Sequence, residues 1–161
     1  MLYFSLSYLC IHTAHTSLST VFGDKVLWLI RDVPMPKQTL KVLAETFAIH
    51  SFDADTDIPA KVFKSSLYFI GKTPDELSIV LPQSVSLPSV ETDFDWRVLE
   101  VLGPLNLTLV GIMSEISGVL ADAKVSIFVL STFDTDFVLV KQNQLDTAIN
   151  ALTKAGYSFS N

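Results

Sequence analysis

Ser131-Thr132-Phe133-Asp134-Thr135-Asp136-Phe137-Val138-Leu139-Val140 sets two carboxylates in a tight turn between two apolar runs. The upstream run, Val125 to Leu130, is apolar on both faces, as a strand covered on both sides is. Asp-Thr-Asp is good turn chemistry, because Asp side chains cap nearby backbone N–H groups, so the segment predicts a hairpin. Working outward, Leu109, Ile112, Met113, Ile116 and Leu120 recur at helical spacing. They predict an amphipathic helix from Thr108 to about Ala123, with Asn106 or Thr108 as its cap. Before it, Trp96 to Leu102 alternates at first like a half-buried strand, and Gly103-Pro104 stops it. After the hairpin, Leu145, Ala148, Ile149 and Leu152 mark a second helix that Gly156 ends, and Tyr157 to Ser160 makes a last strand.

That order is β-α-β-β-α-β, the ferredoxin-like arrangement. Its first two strands run parallel through a right-handed crossover. The first helix therefore begins at the sheet end where the second strand finishes. On this reading the Asp134/Asp136 turn and the helix start share one rim. The first half reads as a degenerate copy, with a strand at Val26 to Ile30, a helix at Thr39 to Phe47 and a hairpin at Ser66 to Val80. Aligning Ser66 with Ser126 sets Leu67–Ile70 over Ile127–Leu130 and Glu76 over Asp136, which supports duplication. The expected fold class is α+β, with tandem ferredoxin-like (βαββαβ) modules and antiparallel sheets. The expected divisions are a leader over 1–15 (poorly ordered or an extra strand), a degenerate module over 16–82, a linker over 83–95 and a second module over 96–161.

Composition narrows the function classes. Hydrophobic residues are 49% of the chain and charged residues only 17%, with a mean hydropathy of +0.42, so some apolar surface should be covered by the other half or by a second subunit. A net charge of -6 with scattered Lys and Arg argues against nucleic acid, which demands a concentrated basic face. Cys10 is the only cysteine, so neither an internal disulfide nor a cysteine zinc site can form, and a reducing, cytoplasmic setting is expected. The apolar Leu2 to Ile11 stretch lacks a basic n-region and no run approaches the length of a membrane span, so no membrane partner is expected.

The chemistry available at the shared rim suits a zwitterion. The Asn106-to-Gly111 approach offers backbone amides at a helix start, which favour an anion, while Asp134 and Asp136 suit a cation. Gly111 permits close backbone approach, or simply allows helix packing. Ser131 and Thr132 can bond a ligand or their own backbone, Phe133 can line a pocket or belong to the core, and both Asp residues can serve the turn alone. Other chemistries fail on inventory. His12 and His15 lack further ligands, and His50 with Asp53, Asp55 and Asp57 has neither EF-hand spacing nor a complete ligand set. No Gly-x-Ser-x-Gly elbow, P-loop or GxGxxG following a strand is present, so no enzyme activity, cofactor or metal is expected.

Residues Trp96 to Gly156 resemble an ACT domain, and most nearly the ACT subfamily of the CASTOR-type cytosolic arginine sensors and small two-ACT proteins. The likeness rests on Leu109-Val110-Gly111-Ile112, on Leu120-Ala121-Asp122-Ala123-Lys124-Val125-Ser126-Ile127, and on Ser131-Thr132-Phe133 followed by Asp136. Thr73 to Pro82 looks like the matching end of a first ACT-like half. The resemblance implies that the Thr132, Phe133 and Asp136 stretch, with the loop before the helix, contacts a bound amino acid. The chain departs from those sensors at Asn106, where they have a glycine, and at Leu109, where they have a glutamate; the missing acid speaks against a guanidinium ligand. The expected function is a non-catalytic sensor or regulator binding a small amino acid or related metabolite, paired as a homodimer or through its two modules. The alternatives are a ligand-free interaction or dimerisation module, or a regulatory subunit of an amino-acid metabolic enzyme.

Overall fold

Strand β1 (Thr39–Asp53) is the spine of the fold in a computed structural model that describes residues 37–103 and 111–160. It is followed by a 3-10 turn at Val62–Lys64, β2 (Phe69–Lys72), β3 (Glu76–Pro82), β4 (Glu91–Val101), α1 (Ile112–Asp122), β5 (Ile127–Ser131) and β6 (Asp136–Lys141). A second 3-10 turn at Gln142–Gln144, α2 (Leu145–Lys154) and β7 (Ser158–Ser160) complete it. The strands form one sheet in the order β2-β3-β1-β4-β6-β5, with β7 beside the start of β1. Among the described residues all pairings are antiparallel except β1 with β7.

From β4 to β7 the elements follow the ferredoxin-like order, and the fold is an α+β ferredoxin-like one. β4 and β5 both run antiparallel to β6, so they are parallel to each other, as the crossover through α1 requires. The apolar stripes of the helices explain their placement. Ile116 and Leu120 of α1 and Ala148 and Leu152 of α2 are fully buried against Leu99, Val101, Val138 and Val140 of the sheet. Burying each such aliphatic side chain contributes about 1.5–3 kcal/mol. Both helices end in Schellman motifs. At α2, Gly156 takes φ +93°, its N–H bonds Thr153 O at 3.0 Å, and Tyr157 N–H bonds Leu152 O at 3.0 Å. At α1 the same position is Lys124 at φ +60°, with Val125 N–H donating to Leu120 O at 2.9 Å.

The opposite sheet face holds a second core of Phe47, Val80, Trp96, Val98, Phe137 and Leu139. The sheet curls over it. Phe69 on β2 meets Phe137 on β6 edge-on, with ring centroids 5.2 Å apart, although β3, β1 and β4 lie between their strands.

The halves are related, with a different phase from the expected one. β2–β3 pairs Phe69 with Val80, and β5–β6 pairs Phe128 with Leu139, so the hairpins match at a spacing of 59 residues. Glu76 is thus the counterpart of Thr135, and Leu77 that of Asp136; the expected alignment of Ser66 with Ser126 is one residue out, which in a strand exchanges the two faces. Pairing of Phe47 with Pro82 and of Trp96 with Lys141 sets the spacing of the first strands at 49. Phe47 and Trp96 also face each other across β1–β4, at the centre of this internal two-fold. The first-half crossover is accordingly shorter by 10 residues and carries only the Val62–Lys64 turn where the second half carries α1.

Other boundaries also differ. Thr39 to Phe47, expected as a helix, is strand. Its apolar spacing looks helical because β1 is bulged: Val42 pairs Leu99 but Thr46 pairs Arg97, so the residues between them oppose Val98 alone. β4 begins at Glu91, inside the stretch expected as a linker, and Asp95 there takes φ +64° at a second irregularity. Gln83 clamps that bend: Asp95 N–H donates to Gln83 Oε1 at 2.8 Å and Gln83 Nε2 donates to Asp95 Oδ1 at 3.3 Å. α1 starts at Ile112 rather than Thr108, and Gly111 at φ +94° is its N-cap in place of Asn106 or Thr108. The expected leader over 1–15 and strand at Val26 to Ile30 lie outside the described residues.

Candidate ligand-binding rim

One row of residues crosses the sheet at the rim expected to hold the site. Leu40 of β1 faces Val101 of β4, Val101 faces Asp136 of β6, and Asp136 faces Ser131 of β5. β4 leaves the sheet here through Leu102, whose N–H bonds Thr39 O at 2.9 Å. The acidic hairpin turn therefore sits at the end from which the chain departs toward α1.

Asp136 is half-buried and Ser131 Oγ donates to its Oδ1 at 2.6 Å. The turn itself closes through Thr132. Its N–H bonds Thr135 O at 2.9 Å, its hydroxyl donates to Thr135 O at 3.1 Å, and Thr135 N–H donates to Thr132 Oγ1 at 3.2 Å. Phe133 and Asp134 form the exposed tip, and Phe133 is 76% exposed, so it belongs to neither core. Gly111 has open space around it: a Cβ there would meet nothing within 4 Å, and the residue is special only for its left-handed backbone. Its carbonyl accepts from Glu115 N–H at 2.9 Å, which begins α1. The structure thus brings Ser131, Thr132 and Asp136 into one bonded turn and leaves Phe133 and Asp134 outward. Asn106, Leu109 and Val110 lie outside the described residues.

The sequence reading missed Lys37. Its Nζ bonds Glu115 Oε2 in the first turn of α1 at 2.6 Å and lies 4.9 Å from the centroid of the Tyr157 ring. The Glu115 hydrogen bond holds the lysine pKa above its ordinary value, while burial pushes the Tyr157 phenol up. A contact between residues 78 apart has no local signature.

The first-half hairpin repeats the turn without an acid at the position that matches Asp136. Thr73 N–H bonds Glu76 O at 2.9 Å and Glu76 N–H bonds Thr73 Oγ1 at 3.1 Å, as Thr132 and Thr135 do. Lys72 and buried Leu77 stand where Ser131 and Asp136 do, so that pair has no counterpart there, and the Glu76 carboxylate accepts from Ser78 Oγ at 3.4 Å instead. His50 is buried on β1, where its Nδ1 lies 2.9 Å from Ser89 Oγ and 3.1 Å from Thr92 Oγ1; burial, then the charge of Lys61, lowers its pKa. Among the described residues no group of three or more His, Cys, Asp and Glu is placed to hold a metal ion. An open depression of about 360 Å³ lies instead at the β1 bulge, lined by Glu45, Thr46, Gln83 and Ser84. Among the described residues no helix is long and apolar enough to cross a membrane.

Residues 91–154 match the model of the ACT domain. Human CASTOR3P is 27% identical over 105 residues, which cover 56% of this chain and 63% of that protein, less than two thirds of its length. Protein Atu0741 from Agobacterium tumefaciens is similar in structure, with a TM-score of 0.72 and 32% identity over 78% of this chain and 94% of that one. The regulatory subunit of aspartate kinase from Thermus thermophilus has the same fold at 14% identity, with a TM-score of 0.53 over 71% of this chain and 97% of its own.

Proposed function

Because the chain belongs to the ACT-domain family, we propose that it is a non-catalytic regulatory protein that binds a small amino acid or related metabolite at the β5–β6 turn. The observation that supports this most is the register of Val101 with Asp136, which sets a half-buried carboxylate, held by Ser131, at the end of β4 from which the chain leaves toward α1. A carboxylate so placed suits the ammonium group of an amino acid, and amides at the α1 start suit its carboxylate. Asn106, Leu109, Val110, Gly111, Ser131, Thr132, Phe133, Asp134 and Asp136 are the residues proposed for this contact. One charge-assisted hydrogen bond contributes about 1.5–3 kcal/mol, so a few of them bring binding into the micromolar to millimolar range. The two halves, 16–82 and 96–161, are read as paired modules of one cytoplasmic regulator, the first with Leu77 in place of the Asp136 carboxylate.

The resemblance to the regulatory subunit of aspartate kinase and to human CASTOR3P agrees with a regulatory role. A thermal-shift screen of the twenty amino acids, repeated on Asp136→Ala, tests the reading. At least one amino acid should raise the wild-type midpoint and leave the variant unmoved; no shift with any of them removes the proposal. One observation favours a second reading, a ligand-free interaction module. The polar groups of Ser131, Thr132 and Thr135 already bond within the turn, and Phe133 stands exposed as a contact residue would.

A further inference from the structure

We propose that the Lys37–Glu115 pair is the second end of the ligand site, where it selects an amino acid whose side chain ends in an uncharged carboxamide, as that of glutamine does. The inference rests on the β5–β6 turn being a ligand site and adds to it the chemistry of the bound side chain.

The sheet brings the two ends within reach of each other. Leu40, Val101 and Val138 pack with the helices, and Asp136 stands two residues before Val138, so it belongs to the helix-covered face. Lys37 lies just before β1, at the end where Leu40 faces Val101 and Val101 faces Asp136. It reaches Glu115 in the first turn of α1, so the pair occupies that same face and end. β4, whose end leads toward α1, lies between β1 and β6. Two inter-strand spacings separate β1 from β6, roughly 10 Å. Extended glutamine holds its carboxamide about 6 Å from its ammonium group, and a hydrogen bond of about 2.9 Å at each end brings the span to about 12 Å. With its ammonium group on Asp136, such a ligand sets its carboxamide at the pair.

The pair has donors and acceptors to spare. Nζ of Lys37 bonds Glu115 Oε2 at 2.6 Å, and the two side chains remain 33% and 46% exposed. An ammonium group has three N–H donors and a carboxylate about four acceptor positions, more than the pair and the Tyr157 hydroxyl beside it use. A carboxamide matches both at once, its carbonyl accepting from Lys37 and its NH2 donating to Glu115. An acidic side chain would meet the like charge of Glu115, and a basic one that of Lys37, so the pair rejects both. Buried Tyr157 holds the lysine in place, with Nζ 4.9 Å from its ring centroid. Such a partly exposed pair adds little to folding, so its charges can be changed in a folded chain.

Isothermal titration calorimetry on the full chain tests this. Glutamine should be the tightest of the twenty amino acids and bind at least ~10-fold more tightly than glutamate or arginine. Lys37→Glu leaves two acids at that end and should reverse the order in favour of arginine; adding Glu115→Lys should restore the preference for glutamine. A pair that only supported the fold would weaken all three ligands together. Lys37→Met, which removes the charge that repels arginine, should narrow the gap between glutamine and arginine and decides the matter if Lys37→Glu does not fold by circular dichroism. A tighter ligand without a carboxamide, or an order of affinities unmoved by the Lys37 substitutions, overturns the proposal. Binding that Asp136→Ala abolishes while the Lys37 variants keep the wild-type order refutes the side-chain end alone, whereas no binding of any amino acid removes the ligand site itself.

Discussion

Acid should loosen this protein through His50, and the size of the effect can be bounded. His50 is 3% exposed on β1, its Nδ1 shared between Ser89 and Thr92, and its Nε2 is buried without a partner. Burial disfavours the charged imidazolium and the charge of Lys61 adds to this, which is why the folded-state pKa lies below the ordinary 6.5. Above 6.5 the histidine is neutral in both states and its contribution is constant. As pH falls below 6.5 the unfolded chain takes the proton first, so stability drops until pH passes below the folded pKa. One proton limits the slope to about 1.4 kcal/mol per pH unit. Urea denaturation of wild type and His50→Leu across this window measures it. Leucine stands at the related position Leu99, and the Ser89 and Thr92 hydroxyls keep each other at 2.7 Å. The variant should lose about 1 kcal/mol at alkaline pH and be flatter in acid. An equal acid slope in both proteins, or a His50 imidazole that titrates at 6.5 or above by NMR, refutes the reasoning.

The left-handed caps make an opposed pair. Lys124→Gly should raise stability by about 0.5–1 kcal/mol by relieving a side chain at positive φ, whereas Gly156→Ala should lower it by about 1 kcal/mol, both read from chemical denaturation. Thr132→Ala and Thr73→Ala each remove a turn-closing oxygen and should cost about 0.5–1.5 kcal/mol apiece, additively, since the two hairpins do not share partners. A double-mutant cycle on Lys37 and Glu115 should give a coupling below about 1 kcal/mol that fades with salt, because both side chains remain partly exposed.

The second half was legible in the sequence because each of its signals is local. Leu145 to Leu152 recur at helical spacing and become α2, Gly156 ends it, and the acidic turn joins β5 to β6. The parallel relation of β4 and β5 followed from chain order alone, and the register of Val101 with Asp136 agrees with it. β1 was misread because its bulge shifts the alternation: Leu40 and Val42 face the helices, while Leu43 and Phe47 face the other core, which leaves a helix-like spacing. At the candidate rim the acid–hydroxyl pair was within reach, since Ser131 and Asp136 flank one turn. Lys37 was not, because nothing near it in the chain points to Glu115.

Taken by itself, the sequence determined the elements whose signals lie within a turn or two of chain: both helices, the acidic hairpin and the order that puts its tip and the α1 start at one end. Only the tertiary structure decided phase and neighbours. It matched Leu77 rather than Glu76 to Asp136, set β7 against β1, and brought Phe69 onto Phe137 across the curl. The reason is physical. Side-chain periodicity reports which residues share a face, but a strand's partner and register come from burying those faces against others far along the chain, where one residue of slip exchanges inside for outside.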